Sequence, residues 1–529
     1  MDAYWILGDQ LQHDHPALKL ARPDDLFVFI ESKARGGHLR YHTHKLVLIY
    51  SAMRHLAAEW KKSGRKVCYH ALGEGPSSDY LGAWKEILAR HHLQAIHVME
   101  PSEWTMDQAL APLARKLGLP IHRIPTNQFL TKRSDFAAWA GGRKHLLMAD
   151  HYRRQRERLG ILLDQDGGPE GGSWSFDADN RETFGAFDKS APPVPPLPAI
   201  RPDAVTRTVM EQVAAHFPGH PGDPATFWLP VTRRESLAWL DDFIQRRLSS
   251  FGPFEDTMAS GQPHLFHSVL TPMLNTGLLR PMECIERAVA AWRSGKAPIA
   301  SVEGFVRQIV GWREFINGVY WLHMPGYASN NALEASRPLP DWLEKGQSPM
   351  NCVGECVNQA RATGYNHHIQ RLMVLGNFFL LGGYDPQAVL RWYMEMYVDA
   401  YDWVMQPNVL GMVLYADGGR FATKPYAAGS GYIQRMSDYC RNCRFDPKLR
   451  SGPKACPFNI LYWNFFDRHE TRFASNPRVA MIVNTLRKKS AAERKAIRTE
   501  AASILNGWNI TESTPADRLQ KLDRNRKRT

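Results

Sequence analysis

Three of the chain's seven cysteines fall in one short stretch, Cys440-x2-Cys443-x12-Cys456, with Pro457 directly after the last. This spacing suits three thiolates that converge on one zinc ion or one iron–sulfur cluster. Spacing alone does not separate these two centres, although a proline after the last cysteine also occurs in ferredoxin-type runs. A metal centre is therefore the first hypothesis.

A four-coordinate centre needs one more ligand, and the sequence offers Cys352 and Cys356. The alternative is a set of unrelated buried thiols, the interpretation we give to Cys68 and Cys284. A disulfide framework is the weaker explanation, because the cysteine count is odd and a long chain does not need covalent staples.

The adjacent His367 and His368 form a second motif, with Arg371 on the same helical flank. Two imidazoles near an arginine suit proton donation to a reaction intermediate, because histidine titrates near neutral pH. The alternative is a hydrogen-bonded core pair. Joint metal ligation is disfavoured, since neighbouring helical residues point about 100° apart.

The segment from Ser268 to Gly277 places the hydroxyls of Ser268 and Thr271 before Pro272, which can open a helix. Hydroxyls and free N–H groups at such a helix start can hold a pyrophosphate. The same residues are also ordinary helix-capping chemistry.

The run Trp312-Arg313-Glu314-Phe315 sets a charge pair in an otherwise apolar helix. If the pair is buried, it needs partners, so it is either paired structurally or faces a polar ligand. We take Glu314 as a candidate substrate contact; the alternative is a solvated helix face.

The chain has 529 residues and a formal net charge of +13. Its length indicates about three domains, and its charge favours a polyanionic partner such as nucleic acid. Part of the charge lies in a basic tail over residues 511–529, which could equally be a solvated end. The N-terminus has no signal-peptide pattern and no apolar run is long enough to span a membrane, so we expect a cytoplasmic protein.

Residues 1–135 alternate short apolar runs with helical patterns, which predicts an α/β domain with a parallel, doubly wound sheet. The predicted strands are Trp5 to Leu7, Leu26 to Ile30, Val67 to His70, Ala95 to Met99 and Ile121 to Ile124, and the helices between them are Lys45 to Lys61, Ala83 to His91 and Met106 to Leu117. The first strand leads into Gly8-Asp9-Gln10-Leu11, which is not a dinucleotide-binding glycine motif.

A Gly/Pro-rich interdomain linker is predicted over residues 136–235. From residue 236 to 510 helical periodicity dominates, so this part is predicted to be a large all-helical domain.

Together these motifs resemble the photolyase/cryptochrome superfamily, and most closely its bacterial iron–sulfur branch, which includes prokaryotic (6-4) photolyases. The resemblance spans nearly the whole chain. It is carried by Trp5 to Leu11, residues 171–181, the Ser268 to Gly277 segment, Trp312 to Phe315, His367 to Arg371, Asp402 to Asn408 and the cysteines.

The resemblance implies FAD in the helical domain, with Ser268 and Thr271 near its phosphates and Asn408 near the reactive ring nitrogen. Arg371 and Asp402 resemble the family's ion pair beside that ring. It also implies a [4Fe-4S] cluster on Cys352, Cys440, Cys443 and Cys456, which leaves Cys356 as a spare thiol.

The implied activity is light-driven repair of (6-4) lesions in double-stranded DNA, with electron transfer from reduced FAD to a flipped-out lesion. His368 would transfer a proton with His367 as its neighbour. Trp392 and Tyr393 resemble electron-relay positions, although packing is their alternative role. The α/β domain would hold a 6,7-dimethyl-8-ribityllumazine antenna, with Glu31 and the Lys45 region as candidates, and the protein is expected to be a monomer.

Two other interpretations remain open. A cryptochrome-like blue-light photoreceptor would use the same flavin for signalling, because fold does not determine function. A nucleic-acid-binding module with a structural cluster, as in the large primase subunit that the C-terminal helices resemble, would bind no flavin.

Overall fold

The computed structural model describes residues 1–508, and its N-terminal part contains a five-stranded sheet. The predicted strands are all present; their bounds are Ala3–Ile6 (β1), Leu26–Ile30 (β2), Lys66–His70 (β3), Ile96–Met99 (β4) and Ile121–Ile124 (β5). Strands β1 and β2 are buried along their whole length, as expected where helices cover both faces of a parallel sheet.

All pairings in the sheet are parallel, and the strand order is β3-β2-β1-β4-β5. Trp5 of β1 lies opposite Val28 of β2 and Val98 of β4. The direction of strand addition therefore reverses between β1 and β4, and such a reversal opens a crevice beyond the carboxyl ends of the strands. The predicted doubly wound α/β domain is confirmed.

Helices pack around this sheet and extend into the segment predicted as a linker. Those up to residue 216 are Ala17–Leu20, Lys33–Gly36, Thr43–Lys62, Tyr80–Arg90, Trp104–Leu117, Arg133–Ala140, Met148–Leu159, Phe184–Ser190 and Ala204–His216. Val209 and Val213 of the last helix are fully buried, and this helix packs against Thr43–Lys62. The α/β layer thus takes a helix from within residues 136–235, because the Gly/Pro-rich composition of that segment obscured a short amphipathic repeat.

The rest of the described chain is helical, as predicted. Its α-helices are Arg233–Arg246, Leu248–Phe251, Thr271–Thr276, Pro281–Arg293, Ile299–Val306, Glu314–His323, Trp342–Lys345, Asn351–Thr363, Asn377–Gly382, Pro386–Met396, Asp402–Met405, Ser430–Met436, Pro457–Arg468, Glu470–Phe473, Ala480–Arg487 and Ala491–Trp508. Three wider π-helical segments, Arg307–Arg313, Gln370–Gly376 and Gln406–Val413, interrupt these helices. π-Helical turns are frequent at functional sites, and these carry Arg313, Arg371 and Asn408.

The two halves share one continuous apolar core. Backbone bonds also cross between them, from Leu11 N–H to the Thr276 carbonyl (2.9 Å) and from His42 N–H to the Glu395 carbonyl (2.7 Å). Loops at the carboxyl edge of the sheet are therefore fixed against the helical half. No helix among residues 1–508 is long and apolar enough to cross a membrane. The predicted basic tail lies outside the described residues.

Candidate functional site

The cysteines of the predicted centre come from three places in the helical half. Cys352 lies in the first turn of Asn351–Thr363, Cys440 and Cys443 follow helix Ser430–Met436, and Cys456 precedes Pro457–Arg468. Burial raises the pKa of the Cys352 thiol, and the neighbouring thiols, first Cys456, raise it further.

Cys440 and Cys443 also act on the pKa of Cys352, whereas Cys356 is influenced by burial, Glu355 and Tyr439. Asn351 Nδ2 also donates to the Tyr439 carbonyl (3.0 Å), so Cys352 lies beside the segment that carries Cys440 and Cys443. No three His, Cys, Asp or Glu side chains within residues 1–508 are arranged around one point as for a single metal ion. A four-iron cluster places each thiolate on a different iron, so that arrangement is not what it needs.

The hydroxyls of Ser268 and Thr271 lie on either side of a strained backbone. Val269 between them adopts φ of 54°, a left-handed conformation that is costly for a β-branched residue. The Ser268 carbonyl accepts a hydrogen bond from Trp239 Nε1 (3.0 Å), whereas both hydroxyls make no hydrogen bond within residues 1–508. Both side chains are only partly buried, so they remain available to a ligand.

The imidazoles of His264, His267, His367 and His368 lie together beside this segment. The rings of His267 and His367 stack with centroids 4.5 Å apart and an interplanar angle of 15°. Both ring nitrogens of His367 and Nε2 of His267 are buried without a hydrogen-bond partner among the described residues. Desolvation, assisted by the neighbouring imidazoles, lowers the pKa of His267 to about 3 and that of His367 well below its usual range. Unpaired buried nitrogens are costly, so they indicate a place for a ligand or water.

His368 differs from its neighbour in exposure. Its side chain is solvent-accessible, whereas His367 is only 2% exposed. Even so, desolvation and the Arg371 charge lower the pKa of His368 to about 4. The structure thus leaves His368 solvent-accessible and His367 buried next to it.

Arg371 forms a buried ion pair, but its partner differs from the predicted one. Its guanidinium donates to both carboxylate oxygens of Asp399, at 2.9 and 3.2 Å, and stacks over the Tyr397 ring at 3.9 Å. Asp402 instead faces the α/β half, where its N–H donates to Glu103 (2.9 Å). Desolvation and the Glu103 charge raise the pKa of Asp402 to about 7. The assignment of Asp402 to the ion pair was wrong, because the chain turns between residues 399 and 402.

Asn408 lies on the third π-helical segment and donates from Nδ2 to the Val404 carbonyl (2.8 Å). Its side chain is half-buried. Its amide oxygen forms no hydrogen bond within the described chain and is therefore free to accept one from a ligand.

Glu314 does not face a ligand. It is 1% exposed, and its carboxylate accepts from Arg313 Nη1 (2.9 Å) and from the backbone N–H of Thr131 (2.7 Å). The Arg313 guanidinium lies over the rings of Phe129 and Trp403, at 4.5 and 5.2 Å. The prediction of a substrate contact at Glu314 was wrong, because the loop before helix Arg133–Ala140 covers this charge pair.

Trp392 and Tyr393 are both buried and belong to a row of touching aromatic rings. Trp392 contacts Phe379 at 5.7 Å between centroids, and Tyr393 contacts Tyr397 at 5.4 Å. Tyr393 also donates its hydroxyl to the Arg371 carbonyl (2.7 Å). The row therefore ends at the Arg371–Asp399 ion pair.

A second candidate site is a cleft of about 750 Å³, part of it open to solvent, beyond the carboxyl ends of β1 and β4. Its polar lining includes Asp9, Arg35, Lys45 and Glu103, and Tyr401 closes it from the helical half. Desolvation lowers the pKa of Lys45 to about 8 and raises that of Asp9 to about 6. The Tyr401 hydroxyl is buried and has no partner among the described residues. The cleft therefore offers charged and hydroxyl groups to a polar ligand.

Lys45 is one of the residues that line this cleft, and Glu31 is not. Both Glu31 oxygens accept from Arg54, each at 2.7 Å, and Leu72 N–H donates to one of them (2.7 Å). Glu31 therefore remains an antenna candidate only by prediction, and its carboxylate is engaged in an internal ion pair.

Several residues of these sites escaped the sequence analysis. Asp399, His264 and His267 in the helical half, and Glu103 in the α/β half, had no assigned role. A signal existed for His264 and His267, since they stand three apart directly before Ser268. No signal in the sequence distinguished Asp399 from Asp402, because both are aspartates within one turn of each other.

Comparisons with known proteins agree with this architecture. The profile of a family described as deoxyribodipyrimidine photo-lyase-related protein matches residues 4–229. A (6-4) photolyase from Agrobacterium fabrum is 40% identical over 504 residues, which cover 94% of this chain and 98% of that protein.

Two solved structures share the fold. A bacterial class III photolyase from Agrobacterium tumefaciens aligns with a TM-score of 0.55 at 18% identity, over 94% of this chain and 91% of the other. A cryptochrome from Synechocystis aligns with a TM-score of 0.54 at 14% identity, over 94% of each chain.

The buried imidazoles predict a pH-dependent contribution to stability. Unfolded histidine binds a proton near pH 6.5, while His264 and His267 stay neutral in the fold down to about pH 4 and about pH 3. Between these limits the unfolded state binds more protons, so their contribution to stability falls as pH drops. Buried carboxyls with raised pKa, such as Asp9, act in the opposite direction, so the comparison needs a variant.

We expect the His264→Gln, His267→Gln variant to gain stability relative to the parent protein as pH falls from about 7.5 to about 5, by up to about 1 kcal/mol per pH unit and residue. Denaturant unfolding at several pH values measures this. The matched control replaces the exposed His92 and His145 with Gln. Equal pH dependence in the parent and in the His264/His267 variant would contradict the prediction.

Proposed function

The chain belongs to the photolyase/cryptochrome superfamily, and on that premise we propose that it is a DNA photolyase that repairs (6-4) pyrimidine–pyrimidone photoproducts with light. The observation that carries this proposal is that His368 is exposed beside the stacked His267–His367 pair and the Arg371–Asp399 ion pair, and we place the repair cleft there. A site of this kind offers proton donors and a fixed charge next to a cofactor and a flipped base.

The residues around this cleft fit FAD. The free hydroxyls of Ser268 and Thr271 can bind its pyrophosphate, and the free amide oxygen of Asn408 can accept from the flavin ring. When bound and reduced, FAD would supply the photoexcited electron that starts repair. The Arg371–Asp399 pair would hold a fixed dipole beside the ring, which tunes a cofactor's electronics without taking part covalently.

His368 is the residue that would transfer a proton to the lesion. With its pKa lowered to about 4 by desolvation and the Arg371 charge, the imidazole is neutral at pH 7, and its ring N–H can donate a hydrogen bond to a lesion oxygen. Negative charge brought by a bound ligand raises the pKa of a nearby imidazole, so occupancy prepares His368 to carry a proton. His367, buried beneath it, would support its orientation.

Duplex DNA with a UV lesion is the proposed partner. A base must leave the stack to reach the cleft, and a damaged base does so at a cost of about a few kcal/mol. We propose that the protein acts as a monomer in the cytoplasm.

We assign Trp392 and Tyr393 to photoreduction of the flavin. Their support is the row of ring contacts from Phe379 to Tyr397 and the hydrogen bond from Tyr393 to Arg371. Closely spaced aromatic rings can pass an electron to a buried cofactor, and the four rings of this row are themselves buried.

We propose that a [4Fe-4S] cluster binds Cys352, Cys440, Cys443 and Cys456. The support is that the thiols of Cys440, Cys443 and Cys456 raise the pKa of Cys352 and do not affect that of Cys356. In the α/β half, the cleft beyond β1 and β4 would hold 6,7-dimethyl-8-ribityllumazine, whose polar rings and ribityl hydroxyls suit Lys45, Arg35 and the free Tyr401 hydroxyl.

The repair assay uses oligonucleotides that carry either a (6-4) lesion or a cyclobutane dimer, with flavin-reduced protein and a dark control. We expect (6-4) restoration only in the light. The His368→Ala variant should keep its flavin and repair on the order of a hundredfold more slowly or worse, whereas the exposed His92→Ala should match the parent. Undiminished repair by His368→Ala would remove the proton-transfer role. Bound flavin without repair of either lesion would favour a photoreceptor.

Removal of the cluster should destabilise the helical half. The Cys352→Ala, Cys443→Ala variant is expected to lose iron and to unfold about 5 °C or more below the parent, because metal binding energy is folding energy. Iron content and thermal unfolding measure this. Cys356→Ala is the matched control and should keep its iron. A double variant with an unchanged midpoint, or loss of iron from Cys356→Ala, would count against the assignment.

A further inference from the structure

The loop that carries the cysteines also carries a concentration of positive charge. Within residues 435–456, which we call the cysteine loop, six cations are exposed: Arg435, Arg441, Arg444, Lys448, Arg450 and Lys454. The loop's two carboxylates are engaged internally: Asp438 accepts from the Ser260 N–H (2.9 Å) and Asp446 from the Lys448 N–H (2.8 Å). Only Arg441 has a carboxylate partner among residues 1–508, the exposed Asp188 at 2.9 Å.

This charge is displayed on an ordered surface. The Asp446 N–H donates to the Lys454 carbonyl (2.7 Å), and the Cys456 N–H donates to the Asp446 carbonyl (3.0 Å). Asn459 Nδ2 donates to the carbonyls of Pro447 (3.0 Å) and Leu449 (2.9 Å). The loop is therefore tied at both ends and in its middle, unlike a solvated charge run.

The inner side of the cysteine loop reaches the cluster formed by His264, His267 and His367. The Met258 N–H donates to the Met436 carbonyl (2.9 Å), which joins the loop to the segment that leads to His264 and His267. Deeper in, Gln370 donates to the Tyr439 hydroxyl (3.0 Å) and accepts from the His367 N–H (3.1 Å). The exposed cations thus stand on an element that borders the cleft.

We propose that the outer face of the cysteine loop binds the phosphate backbone of duplex DNA on one flank of the lesion. This deepens the proposed function and rests on it only in taking DNA as the polyanion. Phosphates are bound by Lys and Arg side chains without an apolar contact. A membrane or a protein partner would call for apolar anchors, whereas Leu449, at 43% exposed, is the one large aliphatic side chain that the loop exposes.

Phosphate contacts change the salt dependence of DNA binding by a predictable amount. Each phosphate contact made by a cation releases counterions. For duplex DNA it makes the negative slope of log affinity against log salt steeper by about 0.9. Contacts of this kind read no sequence and no damage. Loss of three of them should therefore weaken binding to damaged and undamaged duplexes alike and leave the ratio of the two affinities unchanged.

The test compares the flavin-loaded variant Lys448→Gln, Arg450→Gln, Lys454→Gln with the parent. DNA affinity is measured over a range of salt on undamaged and on (6-4)-containing duplexes. We expect the slope of log affinity against log salt to become shallower by about two to three on both duplexes. The matched control, Lys61→Gln, Lys62→Gln, Lys116→Gln, removes three exposed lysines and should keep the parent's slope. These lysines lie at the ends of helices Thr43–Lys62 and Trp104–Leu117, which precede β3 and β5. An unchanged slope in the loop variant, or an equal fall in the control, would overturn the proposal.

A second measurement uses the parent protein alone and therefore does not depend on whether the loop variant folds. In the parent protein, saturating duplex DNA should protect Lys448 and Lys454 from acetylation and leave Lys61 and Lys62 reactive, as read by mass spectrometry. Equal reactivity of Lys448 and Lys454 with and without DNA would overturn the proposal. Neither measurement depends on repair, so a parent protein that binds DNA without repairing it would defeat the proposed function alone.

Discussion

The site depends on the buried ion pair between Arg371 and Asp399. Arg371 is held by Asp399, by the Asn366 carbonyl and by the Tyr397 ring, and its own carbonyl accepts from Tyr393. A buried ion pair is costly unless its remaining hydrogen bonds are satisfied, and here they are. The helical turn that carries His367 and His368 thereby keeps one position relative to the segment that follows Tyr397.

That segment also joins the two halves of the molecule. Lys45 donates to the Ala400 carbonyl, and the Asp402 N–H donates to Glu103, while Asn275 of the helical half donates to the Asp399 carbonyl. Residues 399–402 thus connect the Arg371–Asp399 ion pair with the cleft of the α/β domain. An antenna in that cleft would therefore stand in a fixed relation to FAD, as energy transfer between two chromophores requires.

Sequence patterns predicted the sheet and the helical half because apolar periodicity reports burial directly. The motifs also located most of the cleft, since Ser268, His368 and Arg371 meet there. Pairing was harder to predict. Asp399 and Asp402 differ only in which side of a turn they occupy, and the burial of Glu314 depends on a loop that lies some 180 residues earlier in the chain. Such contacts depend on tertiary packing, which local spacing does not encode.

The central claim is that Asp399, and not Asp402, sets the charge beside the flavin. Bound FAD and its rate of release are to be measured in Asp399→Asn and in the control Asp402→Asn. The account predicts that Asp399→Asn folds but releases FAD at least about tenfold faster, a loss of about 1.4 kcal/mol, while Asp402→Asn retains FAD as the parent does. Normal FAD retention in Asp399→Asn, or a larger loss in Asp402→Asn, would contradict it.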